Sequence, residues 1–172
     1  MMLRVAPRRA VCIFYPMSIE LPERPSRSIM RGRIVIVASR YNEQFTDALL
    51  ENCTQELQEI APSCSVEIVR VPGAYEVPVA VKKSIVHAQK TPHAVIGLGV
   101  IIKGSTDHAD LIGKSVTYAL QQIALETLVP VIHEVILVND EKQAFARCIA
   151  STLNRGREAA RAAVAMMELA KR

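Results

Sequence analysis

The stretch Lys103-Gly104-Ser105-Thr106-Asp107-His108 gathers a cation, a glycine, two hydroxyls and an imidazole into one turn. Where a strand hands over to a helix, such a turn offers backbone N–H groups, the positive end of the helix dipole and the Ser105 and Thr106 hydroxyls to an anion, most simply a phosphate ester. Those hydroxyls also have an ordinary use, because either can cap the helix, and a lost cap costs about 1 kcal/mol. His108 can pass protons to or from a ligand bound there, although a lone histidine is more often a surface or capping residue. The turn has neither a terminal G-K-[ST] nor a G-x-G-x-x-G, which weighs against a nucleotide site. Cys12, Cys53, Cys64 and Cys148 stand apart without a C-x-x-C pair or a histidine at ligand spacing. Reduced structural thiols are therefore expected, with no metal site.

The elements that must position this turn follow from hydrophobic period. Arg33–Ser39 is apolar throughout, as a parallel strand buried on both faces should be. Phe45, Leu49, Cys53, Leu57 and Ile60 recur at helical spacing over 43–60, and Pro62 stops that helix. A second strand over 65–71 runs into Pro72-Gly73, and a helical period resumes over 76–89 through Val77, Ala80, Val81, Ile85 and Ala88, with Pro78 tolerable in its first turn. A third strand is expected over 93–102, broken by Gly104, and a helix over 108–127 with Ile112, Val116, Ala119, Leu120 and Ile123 on one stripe. A fourth strand over 130–138 and helices over 141–152 and 155–171 complete the chain, the last rich in Ala and Met. Four strands alternating with helices imply a single-domain α/β fold. Its doubly wound, four-stranded parallel sheet carries helices on both faces, as a three-layer sandwich of flavodoxin-like kind. Right-handed crossovers bring every strand-to-helix loop to one edge of that sheet. The loops there are Ser39-Arg40-Tyr41-Asn42, Pro72-Gly73-Ala74-Tyr75-Glu76, the turn 103–108, and Val138-Asn139-Asp140.

The 172 residues, half of them apolar, suffice for one well-buried core. The formal charge of +4 invites a nucleic-acid partner, but its distribution argues against one. Residues 1–33 hold seven Arg against Glu20 and Glu23, a surplus of +5, whereas the remaining fourteen basic and fifteen acidic residues leave −1. Residues 1–32 are expected to be an extension, either a disordered tail with Met17 or Met30 as alternative starts, or an Arg-rich organellar transit peptide; the fold is expected over 33–172. The apolar stretch Ala10–Tyr15 is short for a secretory signal. No run of 18 apolar residues exists, so no membrane partner is expected. The body is expected in the cytoplasm, or in an organelle if the extension is a transit peptide.

Two segments resemble a known family. Val71-Pro72-Gly73-Ala74-Tyr75-Glu76-Val77-Pro78 resembles the lumazine synthase signature V-P-G-[AS]-[FY]-E-[IL]-P, and Gly99 to His108 resembles that family's G-x-x-[IL]-[RK]-G-x-T-x-H. The likeness runs from about Arg33 to Ala170 and takes in Ser39 to Asn42, Glu126-Thr127 with Pro130 to Ile132, and Gln143-Ala144 with Arg147. The resemblance implies condensation of 5-amino-6-(ribitylamino)uracil with 3,4-dihydroxy-2-butanone 4-phosphate, the penultimate step of riboflavin biosynthesis, without metal or organic cofactor.

Residue by residue, the resemblance implies that His108 transfers protons, and that Ser105, Thr106 and Arg147 bind phosphate. It also implies that Tyr41 stacks on the pyrimidine ring, that Ala74, Tyr75 and Glu76 contact the ring and ribityl hydroxyls, and that the backbone of Val100, Ile101 and Ile102 reads the heterocycle edge. Asn42 and Arg155 are further candidates. His133 stands where the family usually has a ring-covering Phe, Arg155 stands near a family Lys, and Cys148 to Asn154 replaces a Gly-rich segment. The resemblance further implies a homo-oligomer: a pentamer or multiple of pentamers, up to a sixty-subunit shell, with the site between neighbours and riboflavin synthase as a partner. A non-catalytic lumazine- or flavin-binding protein, or a shell protein on the same fold, is the alternative.

Overall fold

The computed structural model describes residues 24–170. The strands are β1 (Arg33–Ser39), β2 (Ser65–Val71), β3 (Ala94–Ile102) and β4 (Val131–Val138), and the helices are α1 (Glu43–Ile60), α2 (Val77–Val86), α3 (His108–Thr127), α4 (Glu141–Cys148) and α5 (Arg155–Leu169). All strand pairs are parallel, in the order β2-β1-β3-β4. The flavodoxin-like α/β architecture is as the hydrophobic pattern indicates.

Alternation along the strands divides the core into two layers. Ile34, Ile36 and Ala38 of β1 join Ile96 and Leu98 of β3 under α1, α4 and α5. Val35, Val37 and Val95 face the other way, into Val77, Val81, Val116 and Leu120 of α2 and α3. The handedness of the crossovers sets this division. Passing from β1 to β2 runs one way along the sheet, whereas β2 to β3 and β3 to β4 run the other, so α1 falls on the opposite face from α2 and α3.

Three helix ends differ from the hydrophobic pattern. Ahead of α2, Ala74–Glu76 forms a single 3-10 turn because the Glu76 carboxylate accepts the Gly73 N–H at 2.9 Å. At its other end α2 stops at Val86, leaving Ala88 and Gln89 in the following loop. Helix α4 ends at Cys148 rather than running to Thr152, and the cause is Asn154. Its amide is fully buried; it donates to the carbonyls of Cys148 at 2.8 Å and Ala150 at 3.3 Å, while its oxygen accepts the Arg157 N–H and so caps α5. One side chain thus ends one helix and starts the next. The expected Lys171 end of the last helix lies outside the described residues.

The expected extension over residues 1–32 lies mostly outside the described residues, but its last part, 24–32, is described and docked. Met30 is buried in the α1–α5 layer, the Ser28 N–H reaches the Ile60 carbonyl at 2.7 Å, and Arg24 meets Glu56 and Glu59 on α1. Burial pushes the Glu56 carboxyl up, but hydrogen bonds from Arg24 and Arg161 outweigh it and hold the group below the usual carboxylate range. Among the described residues no helix is long and apolar enough to cross a membrane.

Asn154→Ala leaves one buried carbonyl, one part-buried carbonyl and one helix N–H without this partner, so it is expected to lower stability by about 2 kcal/mol. Urea unfolding measures this, and a loss below about 0.5 kcal/mol would contradict the double role of Asn154.

Candidate active site

Strands β1 and β3 are neighbours in the middle of the sheet, but the chain leaves their C-terminal ends in opposite directions, toward β2 and toward β4. Their ladder stops at Ala38↔Leu98, while β3 continues against β4 as far as Ile102↔Val138. A crevice opens where the two loops part, as doubly wound sheets require at a switch point.

Side chains from three loops converge there. An open pocket of about 620 Å³ is lined by Tyr41, Gly73, Ala74, Tyr75, Glu76, His108, Leu111, Ile112 and Ser115. Five of the residues singled out by sequence are among them: Tyr41, Ala74, Tyr75, Glu76 and His108. Sequence reading missed Leu111 and Ser115 and assigned Ile112 to the core stripe. A signal existed, since positions 108, 111, 112 and 115 fall on one helical face.

Tyr41 is held from several sides although its ring is 70% exposed. Its N–H donates to the Pro72 carbonyl at 3.1 Å and its carbonyl accepts the buried Thr46 hydroxyl at 3.1 Å. The ring rests on Gly73, where an added Cβ would sit 2.9 Å from a ring carbon and 2.9 Å from Glu76 Oε2. Asn42 adopts φ 55°, a left-handed conformation that Asn tolerates better than most residues, and its side-chain amide donates to the Val100 carbonyl at 2.8 Å. That bond ties the β1 loop to the unpaired flank of β3. Val100 and Ile101 are buried at this flank, and Ile102 is half-buried.

The turn 103–107 is exposed. Asp107 is the N-cap of α3 and makes no side-chain cap, so neither Ser105 nor Thr106 serves the capping role that was its ordinary use. Lys103 bridges Asp110 at 3.0 Å, pinning the turn to the first turn of α3. An added Cβ at Gly104 would meet nothing within 4 Å, which leaves open space beside the turn.

Other residues singled out by sequence lie elsewhere. His133 is on β4, beyond α3 from the pocket, with Nε2 at 2.7 Å from Thr117 Oγ1 and Nδ1 accepting the Val135 N–H at 3.1 Å. Thr117 gives its one proton to the Gly113 carbonyl, so the ring must hold its own proton on Nε2, toward Thr117. Burial holds this imidazole below its ordinary value, favouring the neutral ring. Arg147 is half-buried in the last turn of α4, and Arg155 opens α5 in an ion pair with Glu158 at 2.6 Å. Within one chain these three do not line the crevice. Among the described residues no group of three or more His, Cys, Asp or Glu is arranged to hold a metal ion.

Fold and crevice together define a flavodoxin-like α/β protein with a ligand-sized pocket at its switch point. Residues 31–171 match the family model described as 6,7-dimethyl-8-ribityllumazine synthase. A protein of that name from Nitrobacter hamburgensis is 35% identical over 154 residues, covering 88% of this chain and 93% of the relative. One from Coxiella burnetii is 37% identical over 140 residues, covering 81% and 91%. A third, from Chlorobium phaeobacteroides, is 37% identical over 145 residues, covering 84% and 92%. The chain belongs to the 6,7-dimethyl-8-ribityllumazine synthase family.

Gly73→Ala is expected to push the Tyr41 ring off its seat at a cost of about 1–3 kcal/mol. Near-UV circular dichroism and thermal unfolding check this. An unaltered aromatic spectrum with an unaltered melting temperature would mean that Tyr41 does not rest on Gly73.

Proposed function

We propose that this chain is a transferase of riboflavin biosynthesis that condenses 5-amino-6-(ribitylamino)uracil with 3,4-dihydroxy-2-butanone 4-phosphate to give 6,7-dimethyl-8-ribityllumazine, with release of phosphate and water. The observation that carries this reading is the convergence of Tyr41, Glu76 and His108 on the switch-point pocket, in a chain of this family. The uracil brings its own amine nucleophile and the sugar phosphate its own leaving group. The protein therefore has to hold both in register and move protons between them. His108 transfers those protons at the rim. Tyr41, exposed and backed by Gly73, is the face on which the pyrimidine stacks. Ala74, Tyr75 and Glu76 meet the ring and ribityl hydroxyls, and the backbone of Val100 to Ile102, with Asn42 bound to it, reads the heterocycle edge. Ser105 and Thr106, free of capping duty, receive the phosphate with the first amides of α3.

Arg147, Arg155 and His133 complete the site from a neighbouring subunit. Their positions on α4, α5 and β4 lie toward one edge of the sheet, while Tyr41 and Gly73 to Glu76 lie toward the other. Head-to-tail association of two such edges closes into a ring, which supports a pentamer or a multiple of pentamers. The exposed stripe Leu111, Tyr118, Leu125 on α3, at seven-residue spacing, also supports burial against other copies. So does Leu128, 87% exposed in a left-handed conformation unusual for leucine. A closed shell and association with riboflavin synthase extend the same reading, and the cytoplasm is the compartment proposed.

The purified protein mixed with both substrates is expected to produce the fluorescent lumazine and release phosphate; a rate no higher than the uncatalysed background would remove this reading. His108→Ala is expected to lower kcat about 10- to 100-fold, through loss of proton transfer. Arg147→Ala is expected chiefly to raise KM for the sugar phosphate, by about tenfold or more. Negligible effects from both would contradict the assigned roles. Native mass measurement is expected to give a multiple of five subunits.

A further inference from the structure

The imidazole of His133 is held at both of its nitrogens. Strand β4 is the last in the sheet, so N–H groups on its outer side have no strand to pair with. His133 supplies an acceptor for one of them, the Val135 N–H, at Nδ1 and 3.1 Å. A backbone N–H can only donate, so Nδ1 carries no proton and the neutral ring keeps its proton on Nε2. That proton points to Thr117 Oγ1 at 2.7 Å, and the Thr117 hydroxyl in turn donates to the Gly113 carbonyl at 2.8 Å. From Val135 through His133 and Thr117 to Gly113, every donor thus finds an acceptor.

Packing of α3 on β4 places these groups together. Leu137, four places from His133 and on the same side of β4, meets α3 at Gly113, where an added Cβ would sit 3.4 Å from Leu137 Cδ2. Thr117 follows Gly113 by one helical turn, on the same face of α3. The residue opposite His133 in register on β3 is Gly97, which brings no side chain of its own.

An imidazolium carries a proton on each nitrogen. On His133 the second proton would face the Val135 N–H, donor against donor, so protonation requires that bond to break. Burial opposes the charge as well and holds this imidazole below its ordinary value. No other group adds to that effect. Strand β3 has no titratable side chain, Glu134 of β4 alternates to the other face, and none of His108, Asp110, Lys114, Tyr118 and Glu126 of α3 contributes. With both nitrogens engaged, what this half-buried ring has left for a ligand is carbon, its π face.

We propose that Thr117 is a positioning residue for the heterocycle: it fixes His133 as an oriented, neutral ring that covers the ligand by stacking alone and neither gives nor takes a proton. This rests on the reading of His133 as a residue donated to the neighbouring subunit's site. A ring whose nitrogens are both spent makes no demand on the hydrogen-bonding pattern of the ligand beneath it. Selection among flat heterocycles is then left to groups that meet their edges, the backbone of Val100 to Ile102. Thr117 does not touch the ligand. It acts through His133, and its loss frees the imidazole to turn and to titrate.

Steady-state kinetics of the assembled full chain with both substrates test this, for the native protein, Thr117→Val, Thr117→Ser, His133→Phe, His133→Ala, and Thr117→Val combined with His133→Phe. His133→Phe keeps a ring that cannot titrate and is the reference at each pH, which cancels titration elsewhere in the site. Native KM for the uracil is expected to stay in constant ratio to that of His133→Phe from about pH 8 to about pH 6. Thr117→Val is expected to raise KM about fivefold with kcat within about twofold, and to raise it about threefold more at the lower pH, where the freed imidazole gains a charge that stacking must desolvate. Thr117→Ser keeps the hydroxyl and is expected to restore the native values. In the His133→Phe background Thr117→Val is expected to change nothing. A Thr117→Val ratio equal at both pH values, or the same effect of Thr117→Val in both backgrounds, overturns the proposal. Should Thr117→Val fail to assemble, solid-state 15N spectra of the native protein labelled on histidine decide, the His133 signal being the one lost in His133→Phe. A proton on Nε2 alone is expected at about pH 7, and a proton on Nδ1 overturns the proposal. The same samples separate the readings. An unchanged KM in His133→Ala removes His133 from the site, and with it the role of Thr117; absence of product removes the proposed reaction. Product formed with a raised KM in His133→Ala but not in Thr117→Val removes only the role of Thr117.

Discussion

The parting of β1 from β3 is the constraint on which the rest of this molecule depends. Two parallel strands bonded as far as Ala38↔Leu98 must release their chains in opposite directions, because right-handed crossovers send one toward β2 and the other toward β4. Backbone groups of β3 beyond that point lose the partner they would have had in a longer ladder. The Asn42 amide takes up the first of them, the Val100 carbonyl, and in doing so fixes the conformation from which Tyr41 projects. The crevice is thus a by-product of topology. Asn42, which makes the unfinished ladder tolerable, is the chain neighbour of Tyr41, which lines it.

Polar groups on the α1–α5 face of the sheet are handled differently from one another. On the α1–α5 face, Glu56 is fully compensated by two guanidiniums and ties residues 24–32 to the domain. Asn154 is compensated as well, and replaces any need for glycine between α4 and α5. Glu134, one strand position from His133, has its carboxyl pushed up to about 8, by burial first and by Glu158 next. Local economy of hydrogen bonding explains the first two residues. It does not explain the third, whose surroundings are charged on both signs and lie near the outer edge of the sheet.

The single chain also exposes large apolar side chains along α3. Leu111, Tyr118 and Leu125 form one line along the helix, and Leu125 and Leu128 continue into a groove with Pro130, Met166 and Leu169. Contiguous apolar surface of this kind is ordinarily covered by protein. The members of the candidate site that do not reach the crevice, His133, Arg147 and Arg155, lie beyond α3 or on the opposite face of the sheet.

Much was legible from the order of residues alone. The four strands and the course of α1 and α3 follow from period and β-branched content, because a strand buried on both faces and a one-sided helix each have a pattern that little else produces. The crevice loops followed too, since handedness of crossover is nearly invariant. What the chain could not disclose locally were ends and partners. The 3-10 turn before α2 depends on Glu76 folding back to Gly73, and the end of α4 depends on Asn154 reaching back six residues to Cys148. Neither bond has a periodic signature. Docking of Met30, the proton position on His133 and the upward push on the Glu134 carboxyl were likewise decided only by tertiary structure, because each depends on residues brought from distant parts of the chain. Sequence determined which elements form and where they turn; the folded state determined which polar groups find partners, since hydrogen bonding is settled by proximity in space.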